Sequence, residues 1–220
     1  MNKNLQKRIT TSLILLIILL FVFFISKYVF LMSVIIISLV LYIEAENLIL
    51  KIYPKKKNYK IYSSVFFYLL LLIYCSYFLY DKYLLFIILA CICSDTGGFV
   101  IGKIIGGKKL TKISPNKTIA GSIGSFIFSI IFMIYLLTNH SSIITDIPNF
   151  FKNNFFYDIL LLTFLITFLC QLGDLIISYF KRLANVKDTG KILPGHGGLL
   201  DRIDGIIFVI PIIFLIDYLF

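Results

Sequence analysis

Charge is scarce in this sequence. Only 15% of its 220 residues are Asp, Glu, Lys or Arg, against roughly 25% in an ordinary soluble domain, while 60% are hydrophobic and 16% aromatic. Polar stretches long enough to fold alone are missing as well, so the composition points to one integral membrane domain over 1–220. Cysteines are few, and Cys75, Cys91, Cys93 and Cys170 all fall in apolar segments. Their spacing suggests neither a metal cluster nor a disulfide framework, which leaves packing as their role. The start MNKNLQKR, followed by an apolar run, is like a signal peptide but lacks a small-residue cleavage site and continues into Tyr28-Val29-Phe30. It predicts a retained first helix.

What the chain does have is apolar runs. A membrane-crossing helix needs about 20 mostly apolar residues, and seven segments meet that need: 9–26, 28–50, 61–80, 83–101, 118–138, 155–180 and 203–220. The fold expected is all-α, a polytopic membrane protein of about seven helices. Lysine and arginine set its orientation. Residues 1–8 hold three, and 51–60, 102–117 and 181–204 hold five each, leaving Lys27, Lys82 and Lys152 for the other side. Basic loops stay cytoplasmic, so the N-terminus is expected inside and the C-terminus outside a cell (inner) membrane. The net charge of +10 is thus a topology signal. Nucleic acid is not expected as a partner, because the basic residues border membrane spans instead of forming a soluble basic face. Membrane lipid accounts for YPKKKNYK, and the loop 139–154 reads as a polar connector.

Two segments placed on the cytoplasmic face, 94–118 and 171–205, hold the polar residues that topology leaves unexplained. In the sixth span, Gln171, Asp174, Ser178 and Lys181 or Arg182 recur at helical spacing and form a polar stripe. A carboxylate at membrane depth must be paired, protonated or bound to a cation; the plain reading is neutralisation of Asp174 by Lys181 or Arg182. Asp201 and Asp204, three apart at the start of the last helix, let one carboxylate turn toward that stripe while another stabilises the helix N-terminus. Two carboxylates from two helices make a seat for magnesium, which takes oxygen ligands and substrate phosphates. Lys181, Arg182, Lys187, Lys191 and Arg202 suit phosphate oxygens. Gly195, Gly197 and Gly198 around His196 let backbone N–H groups approach an anion. Glu44 and Glu46, near the inner end of the second span, are candidates to face the same site.

The segment SYFKRLANVKDTGKILPGHGGLLDRID, from Ser178 to Asp204, resembles the signature of the phosphatidate cytidylyltransferases, also called CDP-diglyceride synthetases: S-x-x-K-R, four residues, K-D, then P-x-H-G-G-x-x-D-R-x-D. Every position of that pattern is filled. Upstream, SDTGGFVIGKIIGGKKLTKISPNKTIAG is similar to the family's second polar block, with Asp95, Lys103, Gly107, Ser114, Pro115, Lys117, Thr118 and Gly121 matching. Ile119 and Ala120 stand where the family usually has Trp and Glu. Gln171-Leu172-Gly173-Asp174 also fits, so the resemblance covers roughly 94–204, flanked by N-terminal helices at 1–93 and a final helix at 205–220.

The resemblance implies an enzyme that joins CTP and phosphatidate to give CDP-diacylglycerol and pyrophosphate. That reaction mainly requires two polyanions to be aligned and their charge offset. It implies magnesium on Asp174 and Asp201, with a second cation left open, and Asp204 and Asp188 as supporting or lysine-pairing groups. Lys181, Arg182, Lys187 and Arg202 are expected to hold phosphates. Asp95, Ser178, Gly197 and Gly198 are expected to line the substrate site. Ser114, Lys117 and Thr118 are expected to contact the nucleotide triphosphate or the lipid head group. Phosphatidate is already anionic near neutral pH, so His196 is expected as a phosphate hydrogen-bond donor or loop organiser instead of a base. A homodimer is left open.

Other readings fit less well. Gly102 to Lys108 matches a P-loop spacing, but Lys109 occupies the hydroxyl position and no strand precedes it. An intramembrane aspartyl protease needs two carboxylates sharing a proton with few fixed cations nearby, and the basic residues oppose that. A transporter lacks paired broken helices or an inverted repeat. CTP-dependent lipid or polyprenol kinases share the nucleotide chemistry with an alcohol acceptor, and the complete P-G-H-G-G-L-L-D-R-I-D segment favours the cytidylyltransferase.

Overall fold

The computed structural model of the protein describes residues 3–54, 59–111, 113–115, 117–139, 155–190, 192 and 197–219. The elements are α1 (Lys3–Ile25), α2 (Lys27–Ile52), α3 (Tyr59–Leu79), α4 (Leu84–Ile105), α5 (Ile119–Asn139), α6 (Phe155–Leu183), the short α7 (Leu200–Ile203) and α8 (Ile206–Leu219). Among the described residues, helices α2 to α6 are each long and apolar enough to cross a membrane, and Thr10–Ile25 and Ile206–Leu219 are shorter apolar helices. The protein is an all-α polytopic membrane protein. Lipid supplies no hydrogen-bond partners, so each helix satisfies its own backbone. Its hydroxyls do likewise: Ser33 donates to the Phe30 carbonyl at 2.6 Å, Ser76 to Leu72 at 2.8 Å and Thr163 to Ile159 at 2.7 Å.

Each of the seven expected spans coincides with a helix, but two differ in their ends. Helix α4 runs through Ser94-Asp95-Thr96-Gly97-Gly98, as the span 83–101 has it, and continues past 101 to Ile105. The Thr96 hydroxyl is absorbed by the carbonyls of Ile92 and Cys93, which lets the polar run stay helical. The expected last helix from 203 is instead divided into α7 and α8. Between them the Gly205 N–H is taken by the Asp204 carboxylate at 3.0 Å, a local bond that competes with helix continuation. Asp201 and Asp204 therefore do not start one helix together. The basic residues 55–57 and the connector 140–154 lie outside the described residues.

The chain forms two compact units. One comprises Met1–Tyr77 with Phe180–Ile203, the other Phe78–Tyr179 with Asp204–Phe220, so the stretch 94–204 contributes to both. In the first unit, the Ser26 hydroxyl caps α2 by accepting the Val29 N–H at 3.2 Å, and the Phe23 and Phe30 rings meet edge to face at 5.2 Å.

In the second unit, α4 and α5 approach closely enough that small residues are required at the contact. A Cβ added at Gly97 would lie 2.5 Å from the Phe128 Cβ and 2.7 Å from the Gly124 carbonyl oxygen; one at Gly121 would lie 2.8 Å from the Gly98 carbonyl oxygen. Overpacking of this kind costs about 1–3 kcal/mol. Gly97→Ala is accordingly expected to lower the thermal denaturation midpoint of the detergent-solubilised protein, and an unchanged midpoint contradicts this packing. Elsewhere in the unit, the Lys82 Nζ meets the Asp217 carboxylate at 2.7 Å, tying the start of α4 to the end of α8.

Candidate active site

Helix α6 ends by a specific device. Asn185 adopts a left-handed φ of 52°, while the Val186 N–H reaches the Lys181 carbonyl at 2.9 Å and the Asn185 N–H reaches that of Arg182 at 3.0 Å. This Schellman pattern stops the helix and turns the chain. Within the first unit the returning segment then wraps a single carboxylate, Asp201 in α7.

Asp201 is nearly saturated. Its Oδ1 accepts from Lys181 Nζ at 2.8 Å, and its Oδ2 accepts from the N–H groups of Thr189 at 2.8 Å and Gly198 at 3.0 Å, with the Thr189 hydroxyl at 3.1 Å. The Asp201 side chain is 4% exposed and that of Lys181 12%. Burial pushes the Asp201 carboxyl up, but the hydrogen bonds from Lys181, Thr189 and Gly198 and the Lys181 charge outweigh it and hold the group below its ordinary value. Gly197 belongs here for a backbone reason: its φ is +88°, and a Cβ would lie 2.9 Å from Asp201 Oδ2.

A second carboxylate braces the same segment from α2. Glu44 is buried; its Oε1 accepts the Leu199 N–H at 2.9 Å, and its Oε2 accepts the Leu200 N–H at 2.8 Å and the Thr189 hydroxyl at 2.9 Å. Of the two glutamates named from the sequence, Glu44 is the one turned to this segment. Its presence also explains Gly190 and Gly198, since a Cβ at either would come to 2.5 Å from a Glu44 oxygen. Arg182, Lys187, Asp188 and Arg202 are exposed in this unit. His196 and Lys191, with 193–195, lie outside the described residues.

The second unit carries the other predicted carboxylate. Asp174 on α6 forms an ion pair with Lys117, their side chains 24% and 28% exposed. The plain reading named Lys181 or Arg182 for this role; Lys117 takes it, and Lys181 is engaged by Asp201. Lys117 is delivered by the α4–α5 connection, closed by the Leu110 N–H on the Lys117 carbonyl at 2.8 Å and the Ile119 N–H on the Lys108 carbonyl at 3.0 Å. The Ser114 carbonyl takes the Lys117 N–H at 3.1 Å, making Ser114 part of the turn. Thr118 accepts the Gly121 N–H at 3.0 Å, the work of a helix N-cap. Ile119 and Ala120 fill the first turn behind it.

Gln171 is occupied structurally. It accepts the Ser122 hydroxyl at 2.5 Å and donates to the Ser122 carbonyl at 3.3 Å, joining α5 and α6. Asp95 accepts from the Cys170 thiol at 3.7 Å, and Ser178 and Asp204 are buried. Among the described residues, no group of three or more His, Cys, Asp or Glu side chains is placed to hold a metal ion.

A model of the cytidylyltransferase family matches residues 45–220. The chain belongs to this family. Phosphatidate cytidylyltransferases are similar in sequence: that of Staphylococcus saprophyticus is 41% identical over 132 residues, 60% of this chain and 47% of the relative. That of Staphylococcus haemolyticus is 44% identical over the same extent. That of Rickettsia bellii is 40% identical over 131 residues, 57% of this chain and 53% of the relative. The chain spans about half the length of the curated relatives it matches. The cytidylyltransferase segment contains Asp174, Lys117, Lys181, Thr189 and Asp201, whereas Glu44 stands one residue before it. Thr189 was not singled out from the sequence; its place between two motif positions, Asp188 and the glycines, was the signal available.

Proposed function

We propose that the protein transfers the cytidylyl group of CTP to phosphatidate, giving CDP-diacylglycerol and pyrophosphate, at the cytoplasmic face of the cell membrane. The observation that carries this reading is the complete K-R … K-D … H-G-G-x-x-D-R-x-D segment, whose Thr189 and Gly198 N–H groups meet the Asp201 carboxylate. Family membership and the names of the relatives support it. The eighteen basic residues in alternate connections support the cytoplasmic placement, with the N-terminus on the same side.

The reaction needs a phosphate oxygen of the lipid to attack the α-phosphorus of CTP while pyrophosphate leaves. Lys181 and Lys117 are the cations assigned to phosphate oxygens, and each is now held in place by a carboxylate. Exposed Arg182, Lys187 and Arg202 add charge that draws anionic substrates in. Asp201 keeps Lys181 and the Gly198 amide in fixed positions, so little reorganisation is left for the substrate to drive.

Magnesium is part of this reading. Asp174, one-quarter exposed with a single lysine on it, has oxygen lone pairs for a hard cation that keeps several waters. Asp201 would offer a cation its Oδ1, which Lys181 shares, since Oδ2 already has three donors. When bound, the ion would neutralise triphosphate charge.

The test is direct. Purified protein supplied with phosphatidate, CTP radiolabelled at the α-phosphorus and magnesium is expected to yield labelled lipid and unlabelled pyrophosphate. Absence of both from folded, lipid-bound protein overturns the reading, and label passing from γ-labelled CTP to an added lipid alcohol points to a lipid kinase instead.

A further inference from the structure

Glu44 lies outside the family-matched segment, yet it is the most buried acid described in the first unit at 2% exposure. Three donors converge on it from the 189–200 segment, and two of them, the N–H groups of Leu199 and Leu200, open α7. The third is the Thr189 hydroxyl, 2.9 Å from Glu44 Oε2 and 3.1 Å from Asp201 Oδ2. A hydroxyl has one hydrogen, so Thr189 donates to one carboxylate at a time and links them. A side chain on a transmembrane helix thereby sets where the Gly198–Asp201 turn stands.

We infer that Glu44 is a positioning residue for the transfer reaction: by holding the Leu199 and Leu200 amides and the Thr189 hydroxyl, it aims Asp201 and, through it, the Lys181 ammonium. The inference rests on the cytidylyltransferase reading for its activity arm and on geometry alone for its structural arm. Glutamine is nearly the same shape but replaces one oxygen with an NH2 group, which faces the Leu199 N–H or the Leu200 N–H and Thr189. Donor then opposes donor, and at least one buried N–H loses its acceptor.

The experiment compares the detergent-purified wild-type protein with Glu44→Gln, Thr189→Val and Thr189→Ser. Glu44→Gln is expected to lower kcat about 10- to 100-fold, the usual effect of removing a group that orients catalytic side chains, with KM for CTP and phosphatidate within about twofold. Hydrogen exchange is expected to rise in peptides covering 197–203 and to stay unchanged in α4 and α5. Thr189→Ser restores the hydroxyl and is expected to keep near wild-type kcat, while Thr189→Val falls toward the Glu44→Gln value.

Near wild-type kcat in Glu44→Gln overturns the inference. So does a loss of kcat accompanied by faster exchange in every helix, which is what a merely structural role produces. Should the wild type itself transfer no label, the functional reading fails on its own, and the exchange arm still decides the clamp: unchanged exchange at 197–203 in Glu44→Gln overturns it.

Discussion

Asp201→Asn is expected to reduce cytidylyl transfer at least about 100-fold and to destabilise the protein at the same time. The carboxylate accepts from Lys181 and the Thr189 and Gly198 amides, shares the Thr189 hydroxyl with Glu44, and has a side chain 4% exposed. Asparagine keeps one oxygen and sets an NH2 group against either Lys181 or the pair of backbone amides. Removing one partner of a buried ion pair costs about 3–5 kcal/mol. Turnover, membrane insertion and thermal denaturation of the variant check this together. Retained turnover removes Asp201 from the reaction. The pH dependence has a definite sign. The Asp201 carboxyl titrates below its ordinary value of 3.8, so its stabilisation is complete above that pH and is lost as pH falls through the lowered folded value. The stability gap between wild type and variant is therefore expected to close only in strong acid.

Asp174→Asn is expected to match that loss of activity without the loss of stability. Asp174 and Lys117 are each about a quarter exposed, and ion pairs that meet water contribute roughly 0–1 kcal/mol. Lys117 can turn to solvent when its partner is neutralised. What the substitution removes is an anionic oxygen suited to a hard cation beside phosphate. The expected result is turnover down at least about 100-fold, a denaturation midpoint close to wild type, and activity not recovered by raising magnesium. Near-normal turnover removes the proposal that Asp174 binds magnesium; a large drop in midpoint contradicts the exposed character of the pair.

The contrast between the two aspartates marks what the sequence makes legible. The helices could be read because a chain in lipid must satisfy its backbone locally, which forces long apolar runs. Asp174 and Asp201 could be picked out because carboxylates are costly in such surroundings. Their partners could not be assigned. Lys117 and Lys181 are both compatible with Asp174 by charge, and the choice depends on where the 106–118 connection folds back, through amides that carry no side-chain pattern. Glu44 and Glu46 sit two residues apart in the same apolar stretch, and only the contact with residues 145 and more positions away distinguishes them. The expected span 83–101 already includes Asp95-Thr96-Gly97-Gly98, a run that by composition alone looks like a loop; glycine in this helix answers to the close approach of α5.

The way Lys117 and Lys181 are held has a consequence for selectivity. Each already has an anion tethered to the same chain, so an incoming phosphate competes with a carboxylate present at a high effective concentration. A lone orthophosphate offers one weak replacement for each contact it breaks. A ligand with several linked anionic groups can offer more than one replacement at either lysine. Each resting ion pair is thus expected to act as a threshold, favouring multiply charged ligands over the abundant small anions of the surrounding water.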